Sequence, residues 1–365
     1  MDDGEIAVAL RYDGPREHGG HPPSRKLGRM AALQEGTVAE NRGALFEVLV
    51  DGRVVRCVLR GRLKHVKTGE WRHAATPIAA GDRVKIAVLE PGRGVIEEIV
   101  PRATGLSRTA AGSAPLQHTL VANVDQAVIV FAAAEPRADL FMLDRFIVAA
   151  IASELEPLVC VNKCDLVDGE LLRAQFAVYR QCGFRSLFTS AQRGDGVEEL
   201  RDVLKDRRSV LCGPSGVGKS SLLNAVAPGL ALRTGEVGEI THRGRHTTSS
   251  ISFLELPFGG WVADTPGLRQ FGFVRETCET CPCDRPMGRH GKVANCPIRL
   301  SPNSVVKAVH VATAFPDLQP YLGRCRYSNC AHRHEQGCAL REAASAGQLD
   351  PRRLRSYLQL AGGET

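Results

Sequence analysis

The chain has 365 residues, 43% hydrophobic and 24% charged, which is enough apolar material for ordinary globular cores in about two or three domains. No apolar run reaches membrane-spanning length, because Glu135, Glu154 and Glu156 break the greasiest stretches, and the N-terminus with Asp2, Asp3 and Glu5 lacks the apolar core of a secretory signal; a membrane protein is excluded and a cytoplasmic one expected. The net charge of +7 divides into 17 basic and 14 acidic side chains over 1–107, 16 and 18 over 108–268, and 14 and 8 over 269–365, a distribution that suits an enzyme core held against a polyanion by its basic neighbours.

Residues 1–35 mix Gly14, Pro15, Gly19, Gly20, Pro22 and Pro23 with charges and show no apolar period, which predicts a disordered tail. From 36 to 100, alternating segments at 37–40, 45–50, 54–59, 83–89 and 94–99 are separated by turn residues such as Asp51-Gly52 and Pro91-Gly92. Five short strands without a helical period predict a small closed β-barrel of the OB or SH3-like kind. Its aromatics are few, chiefly Phe46 and Trp71, so any RNA contact is expected to address the backbone rather than stack bases. Residues 101–118, with Pro101, Gly105, Gly112 and Pro115, read as a linker.

Over 119–272 the pattern changes to apolar strands (126–132, 158–162, 186–189, 209–212, 251–256 and 260–264) alternating with helical stretches (139–154, 170–182, 196–205 and 219–226). Such alternation predicts a doubly wound sheet with its ligands at the C-terminal ends of the strands. Gly213-Pro214-Ser215-Gly216-Val217-Gly218-Lys219-Ser220 follows one such strand and opens a helix, the context a P-loop requires. There the glycines let backbone N–H groups face phosphate oxygens, Lys219 reaches the β and γ phosphates, and Ser220, followed by Ser221, ligates magnesium.

Asn162-Lys163-Cys164-Asp165 ends another strand, and a carboxylate at Asp165 accepts hydrogen bonds from guanine N1–H and N2–H₂ that adenine cannot offer, so GTP is selected over ATP. Thr189-Ser190-Ala191 after the next strand is placed to give the guanine oxygen a backbone contact. Asp264-Thr265-Pro266-Gly267 supplies a magnesium-side aspartate and a γ-phosphate-sensing glycine. Between it and the P-loop, Gly244-Arg245-His246-Thr247-Thr248 forms a polar loop in which Thr248, with Thr247 close behind, completes the magnesium shell. Leu268 stands where Ras-like enzymes orient water with glutamine, which leaves His246 as the nearest substitute. The base-reading elements precede the P-loop, the reverse of the usual order, as a circular permutation produces.

Seven of the twelve cysteines fall between 278 and 338. Cys325-x4-Cys330-x-His332-x5-Cys338 provides three thiolates and one imidazole, a set suited to one closed, structural zinc in the region 273–365. Cys278, Cys281, Cys283 and Cys296, with His290 as a candidate partner, leave a second metal open. Asp350-Pro351 reads as a helix start, with Arg352, Arg353 and Arg355 behind it either contacting phosphate or solvated.

In these marks (Asn162 to Asp165 ahead of Gly213 to Ser221, the Gly-x-His-Thr-Thr loop at 244–248, Asp264 to Gly267, and the Cys, Cys, His, Cys spacing) the chain resembles the circularly permuted, ribosome small subunit-dependent GTPase A family. The resemblance implies an α/β architecture: a permuted P-loop GTPase domain between an N-terminal OB-fold and a mainly helical C-terminal zinc domain. It also implies a cytoplasmic monomer that acts in late maturation of the small ribosomal subunit, touches rRNA through the barrel and zinc domain, and hydrolyses GTP to GDP with magnesium when the subunit stimulates it, His246 taking part. The tail and the cysteine-bearing insertion at 275–307 depart from the family pattern. An RNA-binding assembly factor using GTP mainly as a conformational ligand is the alternative.

Overall fold

A computed structural model describes residues 32–61, 63, 78–109, 117–229, 252–264 and 308–361. The predicted tail lies almost wholly outside them, as do the loop carrying His246, Thr247 and Thr248, the segment with Gly267 and Leu268, and the cysteines at 278, 281, 283 and 296.

Strands β1 (Gln34–Asn41), β2 (Leu45–Val50), β3 (Arg53–Leu59), β4 (Arg83–Glu90) and β5 (Arg93–Ile99) match the alternating segments of the sequence. They hydrogen-bond in the order β1-β2-β3-β5-β4, with β4 returning to β1 and β3 parallel to β5, which closes an OB-fold barrel. One face of each strand fills its interior with Val38, Phe46, Val48, Val50, Val55, Cys57, Val84, Ile86 and Ile96, and Ile78 ahead of β4 joins them. Phe46 is thus committed to the core and is not available to stack on a base.

The stretch read as a linker is more structured than its glycines and prolines suggest. Strand β6 (Gly105–Thr109) pairs antiparallel with β7 (Gln117–Ala122). Arg102 forks onto fully buried Asp82 of the barrel, with Nε and Nη2 each 2.6 Å from a carboxylate oxygen, and its Nη1 donates to Thr119 at 2.7 Å. A bidentate pair shielded from water holds its geometry better than a surface pair, so Arg102 ties the barrel to the β6–β7 ribbon.

Strands β8 (Gln126–Ala132), β9 (Glu156–Asn162), β10 (Ser186–Phe188), β11 (Arg208–Cys212), β12 (Ser252–Glu255) and β13 (Trp261–Asp264) form a sheet in the order β10-β9-β8-β11-β13-β12. All are parallel except β12, which runs antiparallel to β13 and meets β1 of the barrel at Glu40 and Ser252. Central β8 is buried along its whole length, as a strand covered on both faces must be. Its Ile129 and Phe131 face α1 (Leu140–Ala152), α2 (Gly169–Gln175) and α3 (Ala177–Gln181), while Val128, Val130 and Ala132 face α4 (Val197–Leu204) and α5 (Lys219–Val226). Asp139 caps α1 by accepting from the N–H groups of Phe141 and Met142.

The C-terminal region contributes α6 (Ala308–Thr313), α7 (Ala339–Ser345) and α8 (Pro351–Leu360). Asp350 caps α8 and Pro351 occupies its first turn, as the sequence predicts. Val311, Phe315, Leu318, Leu340, Leu349 and Leu354 join the same apolar cluster as Leu143, Phe146 and Ile147 of α1, so this region shares its core with the α/β sheet. Arg353 corrects the expectation of a phosphate-contacting or solvated side chain: it is fully buried, because Asp144 of α1 and Asp317 receive its guanidinium. Arg352 donates to the hydroxyl of Tyr179 at 3.1 Å, and Arg355 is exposed.

Candidate nucleotide site and metal centre

Four motif-bearing strands, β9, β10, β11 and β13, present their C-terminal ends along one edge of the sheet, where open α/β folds bind ligands. After β11 the chain turns through Gly213 (φ 137°), Gly216 (φ 78°) and Gly218 (φ 92°) into α5, a run of positive φ that favours glycine. A Cβ on Gly213 would collide with the carbonyl oxygen of Val130, and one on Gly218 with the side-chain amide of Asn162. No side-chain hydrogen bond caps the N-terminus of α5, and an uncapped helix start of this kind suits an anion. Lys219 Nζ lies 2.9 Å from the Gly213 carbonyl and 2.7 Å from that of Pro214, folded against the loop that it serves.

Asn162 joins two motifs. Its Nδ2 donates to the Val217 carbonyl at 2.9 Å, and its Oδ1 accepts from the Ala191 N–H at 3.2 Å, while the side chain is almost fully buried. Lys163 adopts φ 59° before the short 3-10 turn at Cys164–Leu166, a conformation costly for a side-chain-bearing residue and one that clusters at functional sites. Ser190 donates to Asp165 Oδ1 at 2.6 Å and accepts from the Arg193 N–H at 3.1 Å. That hydroxyl, helped by Arg193 and Lys163, holds the Asp165 carboxyl below its ordinary value, so it is ionised at neutral pH. The Cys164 thiol donates to the Val161 carbonyl at 3.1 Å, and burial pushes it up to about 11; it is a packing group rather than a nucleophile.

The structure therefore brings together the motifs at 162–165, 189–191 and 213–220. Asp264 ends β13, adjacent to β11. One partner escaped the sequence reading. The Glu135 carbonyl accepts from Lys163 Nζ, and Pro136 packs beside Gly216 at the mouth of the loop. The only signal was a Glu-Pro pair placed directly after an apolar strand. Because Gly213 has no room for a methyl group, Gly213→Ala is expected to cost at least the ~1–3 kcal/mol of a strained backbone, roughly a 5- to 150-fold loss of GDP affinity. Titration with a fluorescent GDP analogue measures it, and unchanged affinity would show that the loop can relax.

In the C-terminal region, ligand atoms of Cys325, Cys330, His332 and Cys338 all lie within 4.8 Å of one another, close enough to share one metal ion. His332 Nδ1 is 3.4 Å from Cys325 Sγ and 3.5 Å from Cys338 Sγ, and the two sulfurs are 4.0 Å apart. Burial lowers the His332 imidazole, which keeps it neutral and able to donate a lone pair. The donor set and its spacing fit a tetrahedral ion.

The family signature described as RsgA GTPase matches residues 99–274. A small ribosomal subunit biogenesis GTPase RsgA of Moorella thermoacetica is 41% identical over 324 residues, covering 89% of this chain and 95% of that protein. Its counterpart in Gemmatimonas aurantiaca is 39% identical over 334 residues, covering 91% and 97%. Among solved structures, YjeQ from Thermotoga maritima matches with a TM-score of 0.64 and 28% identity over 90% of this chain and 97% of its own. YloQ, described as a circularly permuted GTPase, matches at 0.60 and 25% over 93% and 96%. With the permuted motifs gathered at one sheet edge and relatives matched over nearly their full length, the chain belongs to the RsgA family of GTPases.

Proposed function

We propose that this GTPase acts in late maturation of the small ribosomal subunit, binding GTP at the β9–β13 sheet edge and hydrolysing it faster when the subunit is bound. The observation that carries the reading is Asn162, whose side chain ties the P-loop at Val217 to the base-side loop at Ala191. In this reading Asp165 reads the guanine ring, with Asn162, Lys163 and Cys164 shaping its pocket and Ser190 and Ala191 closing the base side. Gly213 to Gly218 and Lys219 bind phosphate. Ser220, Thr248 and Asp264 hold magnesium, Thr247 being the other candidate, while Ser221 flanks the ion site and Gly267 senses the γ-phosphate. His246 orients the attacking water, a role that Leu268 cannot fill.

The relatives' printed name supports the small subunit as partner. Basic flanks around a near-neutral centre and an aromatic residue committed to the barrel core support backbone-directed rRNA contact through the barrel and the C-terminal region. Zinc is the proposed ion at Cys325, Cys330, His332 and Cys338, because three thiolates and an imidazole favour it and leave no open position for chemistry. No described helix is long and apolar enough to cross a membrane; a cytoplasmic monomer accords with the proposed role.

GTP turnover measured alone, with purified small subunits and with large subunits tests the reading. Marked stimulation by small subunits alone is expected. A rate indifferent to them would overturn the coupling and favour GTP as a conformational ligand only.

A further inference from the structure

Between Cys330 and Cys338 the chain forms neither helix nor strand, yet it must deliver His332 to the thiols at its two ends and to that of Cys325. Backbone N–H groups in such a loop need acceptors, and here a single carboxylate takes three of them. Ala331 donates to Glu335 Oε1 at 2.9 Å, while Arg333 and His334 donate to Oε2 at 2.8 and 3.0 Å. These three amides bracket His332 on both sides. His332 itself has φ 62°, a left-handed conformation costing about 1–2 kcal/mol for a residue with a Cβ. A strained backbone of this kind persists only where its surroundings hold it.

We infer that Glu335 is the positioning residue of the metal centre: its carboxylate clamps the 331–334 turn in the left-handed form that aims His332 Nδ1 at Cys325 and Cys338. The alternative, Glu335 as a ligand, does not fit. Both of its oxygens are engaged by amides, and the ligand cluster found among the described residues comprises the three cysteines and His332 alone. Tetrahedral bonds of about 2.0 Å to nitrogen and 2.3 Å to sulfur put the two donors about 3.5 Å apart, and Nδ1 lies 3.4 and 3.5 Å from two of the sulfurs. Glu335 therefore acts on His332 through the backbone of the turn and not through a bond of its own to the ion.

The inference rests on reading this cluster as a metal centre, and the experiment separates the two. Zinc content of the purified full-length chain is measured first, then zinc affinity by chelator competition and the visible spectrum of the Co(II)-substituted protein, for wild type, Glu335→Ala, Glu335→Gln and Leu354→Ala. Leu354 is buried in α8, outside the 331–334 turn, and reports what general loss of core packing does to metal retention. Glu335→Ala is expected to weaken zinc binding about 10- to 100-fold, as loss of a partner that orients a metal ligand does, and to shift the Co(II) d–d bands. Glu335→Gln, whose single amide oxygen can replace part of the clamp, is expected to fall between Glu335→Ala and wild type. Wild-type zinc affinity and spectrum in Glu335→Ala, or a loss no greater than that of Leu354→Ala, overturns the positioning role. Absence of metal from the wild-type chain overturns the metal reading itself and the inference with it.

Discussion

Arg353→Met is expected to lower unfolding free energy by about 3–5 kcal/mol, the cost of leaving buried charges without their partner. The guanidinium is fully shielded from solvent. Its Nη1 is 2.5 Å from Asp144 Oδ1, its Nη2 and Nε are 2.9 and 3.1 Å from the oxygens of Asp317, and Nη2 also donates to the Ala314 carbonyl at 3.0 Å. The ring of Phe315 lies 4.0 Å beneath it. Burial alone would lower its pKa, but the bond to Asp317 and the charges of Asp144 and Asp317 raise it, so the cation persists. Because Asp144 belongs to α1 and Arg353 to α8, the group fastens the C-terminal helices to the GTPase sheet. Denaturant titration measures the loss. The triple variant Arg353→Met, Asp144→Leu, Asp317→Leu is expected to recover most of it, since replacing a whole buried ionic group with hydrophobes is often neutral. A wild-type midpoint for the single variant would show that the shared apolar core alone holds the regions together.

That network also marks where reading the sequence stops. Each barrel strand was legible because one-sided burial imposes a period of two and the turns demand glycine or aspartate, and the five observed strands begin within three residues of the predicted ones. The P-loop was legible for a similar reason: positive φ at 213, 216 and 218 writes itself into residue identity. The helix expected over 170–182 instead breaks at Phe176, which ends α2 and begins α3. Its apolar spacing runs on through the break, because Leu172, Phe176 and Tyr179 all bury on one side, so periodicity carried no sign of the break. Arg353 was illegible because its partners lie 209 and 36 positions away in the chain. A charge on a helix looks solvated until the fold brings carboxylates to it. Glu335 was missed for another reason: it binds backbone amides, which every sequence contains, so no residue pattern announces the clamp.

Asp165→Asn is expected to turn the site from guanine toward xanthine nucleotides, with the largest functional change of any single substitution at the base. In the proposed base-reading role the carboxylate accepts from N1–H and N2–H₂ of guanine, two charge-assisted hydrogen bonds of about 1.5–3 kcal/mol each. An amide keeps one acceptor and turns a donor toward the guanine amine. Loss of one such bond lowers GTP affinity by roughly 10- to 150-fold, and the facing donors add to it. Xanthine carries a carbonyl where guanine carries the amine, so the same amide donor gains an acceptor and XTP affinity rises. The substitution is also mild for the protein: the Ser190 hydroxyl that donates to Asp165 Oδ1 at 2.6 Å can still donate, more weakly, to an amide oxygen. Competition of GTP, ATP and XTP against a fluorescent GDP analogue measures the exchange. Undiminished GTP binding with no gain for XTP would mean that Asp165 does not face the base, and the base-reading role assigned to the 162–165 motif would fail with it. A loss of GTP binding without the gain for XTP would point instead to a collapsed loop, which the retained bond between Ser190 and residue 165 argues against.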